Sequence, residues 1–157
     1  MEWPGAGHAV GIFPGGAVST IEKWSGKWAL DLPWAPFAAK LIRATKATVV
    51  PVHFSGQNSR VFQHASQVSV TLRLSLIMHE TARRIGTPLD VVVGEPIAPG
   101  DLAGFADRSA LLMELRRRTY ELAPGGRKDW MRTGRIRMPK RDRPGDSDPA
   151  SATAAAA

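Results

Sequence analysis

The sequence predicts an α/β fold, on three observations. Short apolar or β-branched runs at residues 8–13, 48–54 and 89–93 have the length and composition of buried strands. Stretches with apolar residues at helical spacing separate them. Glycine and proline clusters punctuate the joins, at Pro14-Gly15-Gly16, Gly94-Glu95-Pro96 and Pro124-Gly125-Gly126. Strand, helix, strand, helix, strand, helix is the order of an α/β domain, and helical crossovers favour parallel pairing.

In order, residues 1–7 read as a loop and residues 8–13 as the first strand, broken by Pro14-Gly15-Gly16. Residues 17–34 are irregular and hold Trp24, Trp28 and Trp34. Pro36 suits the first turn of a helix, where its missing N–H costs nothing. Phe37, Ala38, Leu41, Ile42 and Ala44 or Thr45 carry that helix on to Lys46. Residues 48–54 form the second strand, with Pro51 inside it. A proline there marks an edge or a bulge. Residues 55–59 are a polar loop.

Residues 61–84 fit two patterns. Val68, Val70, Leu72, Leu74 and Leu76 alternate as a strand does, while Phe62, Ala65, Val68, Leu72 and Leu76 lie on a helix face. Their length, and Arg83-Arg84 before Gly86, favour the helix. Residues 89–93 are the third strand. Asp101 is placed to cap a short turn, and Asp107 to cap a helix running to Leu122. The expected domain covers residues 1–123. Residues 124–157, basic at first and Ala-rich at the end, form an expected disordered tail.

The chain has no cysteine, which excludes disulfides, thiol nucleophiles and thiolate metal sites. No charged start followed by an apolar run marks a signal peptide, and no apolar stretch is long enough for a transmembrane helix. The net charge of +7 is uneven, because residues 127–143 hold 8 basic residues against 2 acidic. Such a segment suits anionic headgroups, nonspecific nucleic acid or solvent alone. No groove-reading motif accompanies it, so no specific nucleic-acid partner is expected. Trp24, Trp28 and Trp34, near Lys23, Lys27 and Lys40, suit either a bilayer interface or an ordinary core. The four histidines lack metal-ligand spacing, and no metal site is expected.

Two blocks carry a resemblance. Phe13-Pro14-Gly15-Gly16, followed by Val18-Ser19, and Val49-Val50-Pro51-Val52, followed by Gly56, Asn58, Ser59 and Arg60, resemble the later blocks of the phospholipid/glycerol acyltransferase family, specifically its lysophospholipid acyltransferase-like branches. The likeness spans roughly residues 8–98. It implies a partial three-layer sheet flanked by helices. It implies transfer of a fatty acyl group from acyl-CoA or acyl-carrier protein to a lysophospholipid or related lysolipid, peripherally at the cytoplasmic membrane face, with no resident cofactor. Phe13, Pro14, Gly15, Gly16, Ser19 and Arg60 would hold the acceptor. Gly15 stands where the family has a glutamate, which leaves the acceptor's identity open.

The family's catalytic motif is His-x4-Asp, in which a histidine base is oriented by an aspartate. The residues five past His8, His53, His64 and His79 are Phe13, Asn58, Ser69 and Arg84. No residue here is therefore assigned a catalytic role, and the chain reads as the C-terminal half of such a domain. A three-stranded remnant with a bare sheet edge points the same way. The alternative is a noncatalytic module that binds a peripheral membrane surface or anionic lipid.

Overall fold

The computed structural model describes Gly7 and residues 9–136 of the chain. His8 and the Ala-rich end of the expected tail lie outside the described residues. The protein mixes five helices with a small two-stranded sheet among the described residues: α1 Pro36–Thr45, β1 Val52–Phe54, α2 Arg60–Val68, α3 Val70–Arg84, β2 Val91–Val93, α4 Pro99–Ala103 and α5 Arg108–Glu121.

Pro36 opens α1 as expected, and the buried faces of Ala38 and Ala39 let α1 approach α5 closely. Asp107 caps α5, accepting from the Ala110 N–H at 2.7 Å. Leu111, Leu112 and Leu115 of α5 then meet Ala38, Ala39, Ile97 and Leu102 in the main core, flanked by Trp34, Ile42, Val49 and Phe105. Each buried leucine contributes roughly 1.5–3 kcal/mol. Asp101 does not cap α4, because it lies inside that helix and Ala98 holds the cap position.

The sheet departs from expectation in two ways. Residues 9–13 form no strand and are exposed. The remaining strands pair antiparallel, with Val52 opposite Val93, His53 opposite Val92 and Phe54 opposite Val91. The reason lies in the connection. Residues 61–84 are not one helix but two, broken at Ser69, whose extended backbone ends α2 and whose side chain caps α3. The pair folds back on itself. Ser59, the cap of α2, meets Glu80 near the end of α3, donating to its carboxylate through both hydroxyl and N–H. A single helical crossover returns a chain parallel, whereas a doubled-back pair delivers β2 beside the end of β1, running the other way.

Pro51 sits at an irregularity of this ladder. Val49 pairs with Ile97, whereas Val52 pairs with Val93, so the β2 side carries one extra residue, among residues 94–96, opposite Val50 and Pro51. That is a bulge, one of the few places a strand tolerates proline. The Pro51 carbonyl still accepts from Gly94 N–H at 2.9 Å.

Residues 124–136 correct the expectation of a disordered tail. They dock as a strap across residues 18–32. Gly134 N–H donates to the Asp31 carbonyl at 3.0 Å, Arg135 N–H to the Ile21 carbonyl at 3.3 Å, and Thr20 Oγ1 to the Arg135 carbonyl at 3.0 Å. Polar composition concealed this because the strap is held by hydrogen bonds more than by apolar burial. The strap passes so close that a β-carbon on Gly134 would stand 2.6 Å from the Thr20 carbonyl oxygen. Gly134→Ala is expected to cost about 3 kcal/mol, read as a lowered urea midpoint with an unchanged slope. Wild-type stability in that variant would show the strap to be detached in solution.

Candidate functional site

The glycine turn at residues 13–16 closes on its own backbone. Gly16 N–H donates to the Phe13 carbonyl at 3.1 Å, and Gly16 closes the turn at φ 65°, a left-handed geometry that suits glycine. The turn rests on residues 31–35. The Pro14 carbonyl accepts from Ala35 N–H at 2.8 Å, and Gly15 lies against Asp31 and Leu32. Ser19 donates its hydroxyl to Asp31 Oδ1, while Trp34 Nε1 donates to Oδ2 at 3.1 Å. Phe13 is 76% exposed, yet its ring centroid lies 5.9 Å from that of Phe54 on β1.

Phe13, Pro14, Gly15, Gly16 and Ser19 thus gather around residues 31–35 and the end of β1. Arg60 does not share these partners. Its guanidinium donates to the Gly26 carbonyl at 2.5 Å. The Gly16 N–H is also spent inside the turn, which removes one of the donors a glycine turn offers to an anion.

Beneath the turn lies a polar centre that sequence reasoning missed. Arg116, on α5, is 3% exposed. Its guanidinium donates to the Leu32 carbonyl at 2.9 Å, the Asp31 carbonyl at 3.0 Å, the Tyr120 hydroxyl at 3.1 Å and the Arg132 carbonyl at 2.8 Å. It also stands over the rings of Trp34 and Tyr120. The Tyr120 hydroxyl in turn accepts from Asp31 N–H at 2.9 Å, and burial raises the phenol's pKa. Arg127, on the strap, packs over Tyr120 and Trp28 and forms a two-pronged pair with Asp129. The only sequence clue was Arg116 lying four residues after Leu112 and four before Tyr120, on the face that α5 buries.

His53 is the titratable side chain of β1. It is half-buried and senses both Arg127 and Asp31. Burial, then the Arg127 charge, lower its pKa below the ordinary 6.5, against the pull of Asp31. His64 stacks on Trp24, and its Nδ1 is buried without a partner among the described residues. Among the described residues no three acidic or imidazole side chains converge as a metal site. A shallow cleft of about 160 Å³ opens beside the polar centre, between Trp34, Leu112, Met113, Arg116 and Trp130.

Arg116→Met would leave the Leu32 and Arg132 carbonyls without the donor they have here and remove one of two donors from the Asp31 carbonyl and the Tyr120 hydroxyl. It is expected to cost about 3 kcal/mol or more, with Arg116→Lys losing less because it keeps the charge but not the fork. Chemical unfolding of both variants checks this ranking. His53 makes a second expectation. Its folded pKa lies below its unfolded value, so the unfolded chain takes up the proton first as pH falls. The associated stability is complete above pH 6.5 and erodes as pH drops through that value towards the folded pKa. An NMR titration should place the His53 midpoint below 6.5, and His53→Asn should flatten the fall in melting temperature between neutral and mildly acid pH.

No family model, no curated protein and no solved structure matches the chain, so its site is read from its own residues.

Proposed function

We propose that this chain is the acceptor-side half of a phospholipid/glycerol acyltransferase domain, whose complete protein moves a fatty acyl group from an acyl thioester to a lysophospholipid or related lysolipid. The observation that carries this reading is the contact between the two motif blocks. Phe13 and Phe54 are forty-one positions apart in sequence, yet their rings lie 5.9 Å apart. The glycine turn and the proline-bearing strand, recognised separately, therefore flank one surface.

The sheet supports the same reading. By alternation and register Val52, Phe54, Val91 and Val93 share one face, and Phe54, Val91 and Val93 are exposed on it. An apolar sheet face of this kind suits one layer of a three-layer domain, covered by protein beyond the described residues. On this proposal the histidine base and its aspartate belong to that covering part. The Phe13–Ser19 turn would then position the lysolipid headgroup through its shape and through the Asp31-held Ser19, with backbone donors meeting the oxyanion of the attacked thioester. His53 is no substitute base, because it faces Arg127 and Asp31 on the opposite face of β1 from Phe54.

Purified chain, mixed with labelled acyl-CoA or acyl-carrier protein and a panel of lysophospholipids, is expected to form no acylated product above the uncatalysed rate. Robust transfer would overturn the claim that the base lies elsewhere. Mass spectrometry of the native protein is expected to find a His-x4-Asp block upstream of residue 8. A native chain without one would remove the acyltransferase reading.

A further inference from the structure

Residues 20–30 form a hairpin whose base and tip are treated in opposite ways. At the base, Thr20 and Leu30 exchange both backbone hydrogen bonds at 2.9 Å, and Ile21 is fully buried. At the tip, Gly26 N–H closes a tight turn on the Lys23 carbonyl at 2.7 Å. Side chains from the loop before α2, and from α2 itself, pin the whole device. Gln57 accepts from Ala29 N–H at 2.8 Å and donates to the Lys27 carbonyl at 3.2 Å. Gln63 accepts from Ile21 N–H at 3.0 Å, Gln67 donates to the Ile21 carbonyl at 2.7 Å, and Arg60 clamps the Gly26 carbonyl.

Despite this anchoring, Trp24 is 58% exposed and Trp28 is 52% exposed. Each indole is held in place from one side. Trp24 stacks on His64 at 4.9 Å, and Trp28 has the Lys27 ammonium 5.2 Å from its centroid and Arg127 at 5.9 Å. The charge around them has one sign. Lys23, Lys27 and Arg60 are exposed on or beside the tip, and Arg84, also exposed, reaches the Gln57 carbonyl behind it. The neighbouring acid Glu22 is answered by Arg132, whose Nε donates to it at 2.8 Å, and Glu80 is buried on Ser59.

We propose that this hairpin docks the protein on an anionic bilayer surface, with Trp24 and Trp28 entering the headgroup zone and Lys23, Lys27 and Arg60 meeting lipid phosphates. An indole is amphipathic and settles where one side is apolar and its N–H stays wet. Fixed lysines around it add attraction to a negative leaflet, and a guanidinium matches phosphate geometry. Much of the ordering cost is already met in the folded chain, since these hydrogen bonds hold the loop before it meets a partner. The proposal goes beyond acyl transfer and stands without it.

The test is flotation of the whole chain with vesicles of phosphatidylcholine containing phosphatidylglycerol, and with phosphatidylcholine alone, in the absence of any thioester or lysolipid. The protein is expected to partition onto the anionic vesicles and to lose about tenfold or more of that affinity in Trp24→Ala/Trp28→Ala. Lys23→Gln and Lys27→Gln should each cost on the order of fivefold. Thermal melts confirm that the variants fold. Trp24→Phe/Trp28→Phe, a milder change, should abolish quenching of tryptophan fluorescence by lipids brominated near the headgroup. Wild-type affinity in the double alanine variant overturns the proposal, as does a loss produced only by Arg137→Gln/Lys140→Gln/Arg141→Gln in the C-terminal basic segment. Tighter, Trp24-dependent binding to a single-stranded oligonucleotide than to the vesicles also overturns it. None of these outcomes depends on whether the chain takes part in acyl transfer.

Discussion

The guanidinium of Arg116 is the point on which the rest of the molecule leans. It carries a full charge at 3% exposure and finds no carboxylate partner among the described residues. A buried charge is costly unless it is hydrogen-bonded, and here three backbone carbonyls and the Tyr120 hydroxyl meet the two terminal nitrogens, while the buried Nε has no partner among the described residues. Those carbonyls come from residues 31 and 32 and from residue 132, segments a hundred positions apart. The loop that carries the Phe13–Ser19 turn and the strap that covers it are therefore registered by one side chain on α5. Neither segment has the apolar content to fix its own position.

The constraint passes outward through Asp31. Its carbonyl accepts from Arg116 and Gly134, its N–H donates to Tyr120, and its carboxylate accepts from Ser19 and Trp34. One residue thus links α5, the strap, the turn and the edge of the main core. The α2–α3 pair is organised by a parallel device. Buried Arg73 donates to Ser66 at 3.0 Å and to the Val18 carbonyl at 2.7 Å, and lies over the Phe62 ring. Burial lowers its pKa. Arg116 and Arg73 thus bond the main chain of residues 17–35 from two sides, beside the glutamines of α2 and its preceding loop and the strap.

The regular elements were legible in the sequence wherever a local signal decides. Pro36 and the Ala38, Ala39 face gave α1, and Asp107 with its leucines gave α5 within a residue. What local signals left open was settled by longer-range contacts. The doubled pattern in residues 61–84 records two helices, because Ser69 ends one and starts the other. That single residue reverses the sense of the sheet, so the parallel expectation failed with it. Residues 9–13 are strand-like in composition but pair with neither β1 nor β2. Of the candidate site, Phe13, Pro14, Gly15, Gly16 and Ser19 were visible as a glycine turn. Arg116, Tyr120 and Asp31 were not, because a polar residue that bonds only to backbone leaves no partner residue type to search for.

The doubling back of α2 on α3 also bears on the order in which the chain assembles. The β1–β2 pair closes a loop of more than thirty residues, an entropic cost met before any ladder bond forms. About two thirds of that loop is the helix pair, whose contacts are local and whose ends Ser59 and Glu80 tie together. Once the pair has formed, the effective gap between the strands shrinks to the short links on either side. The sheet is then a late product of helix folding, and a lesion at Ser69 or Glu80 acts first on the rate at which β1 and β2 find each other.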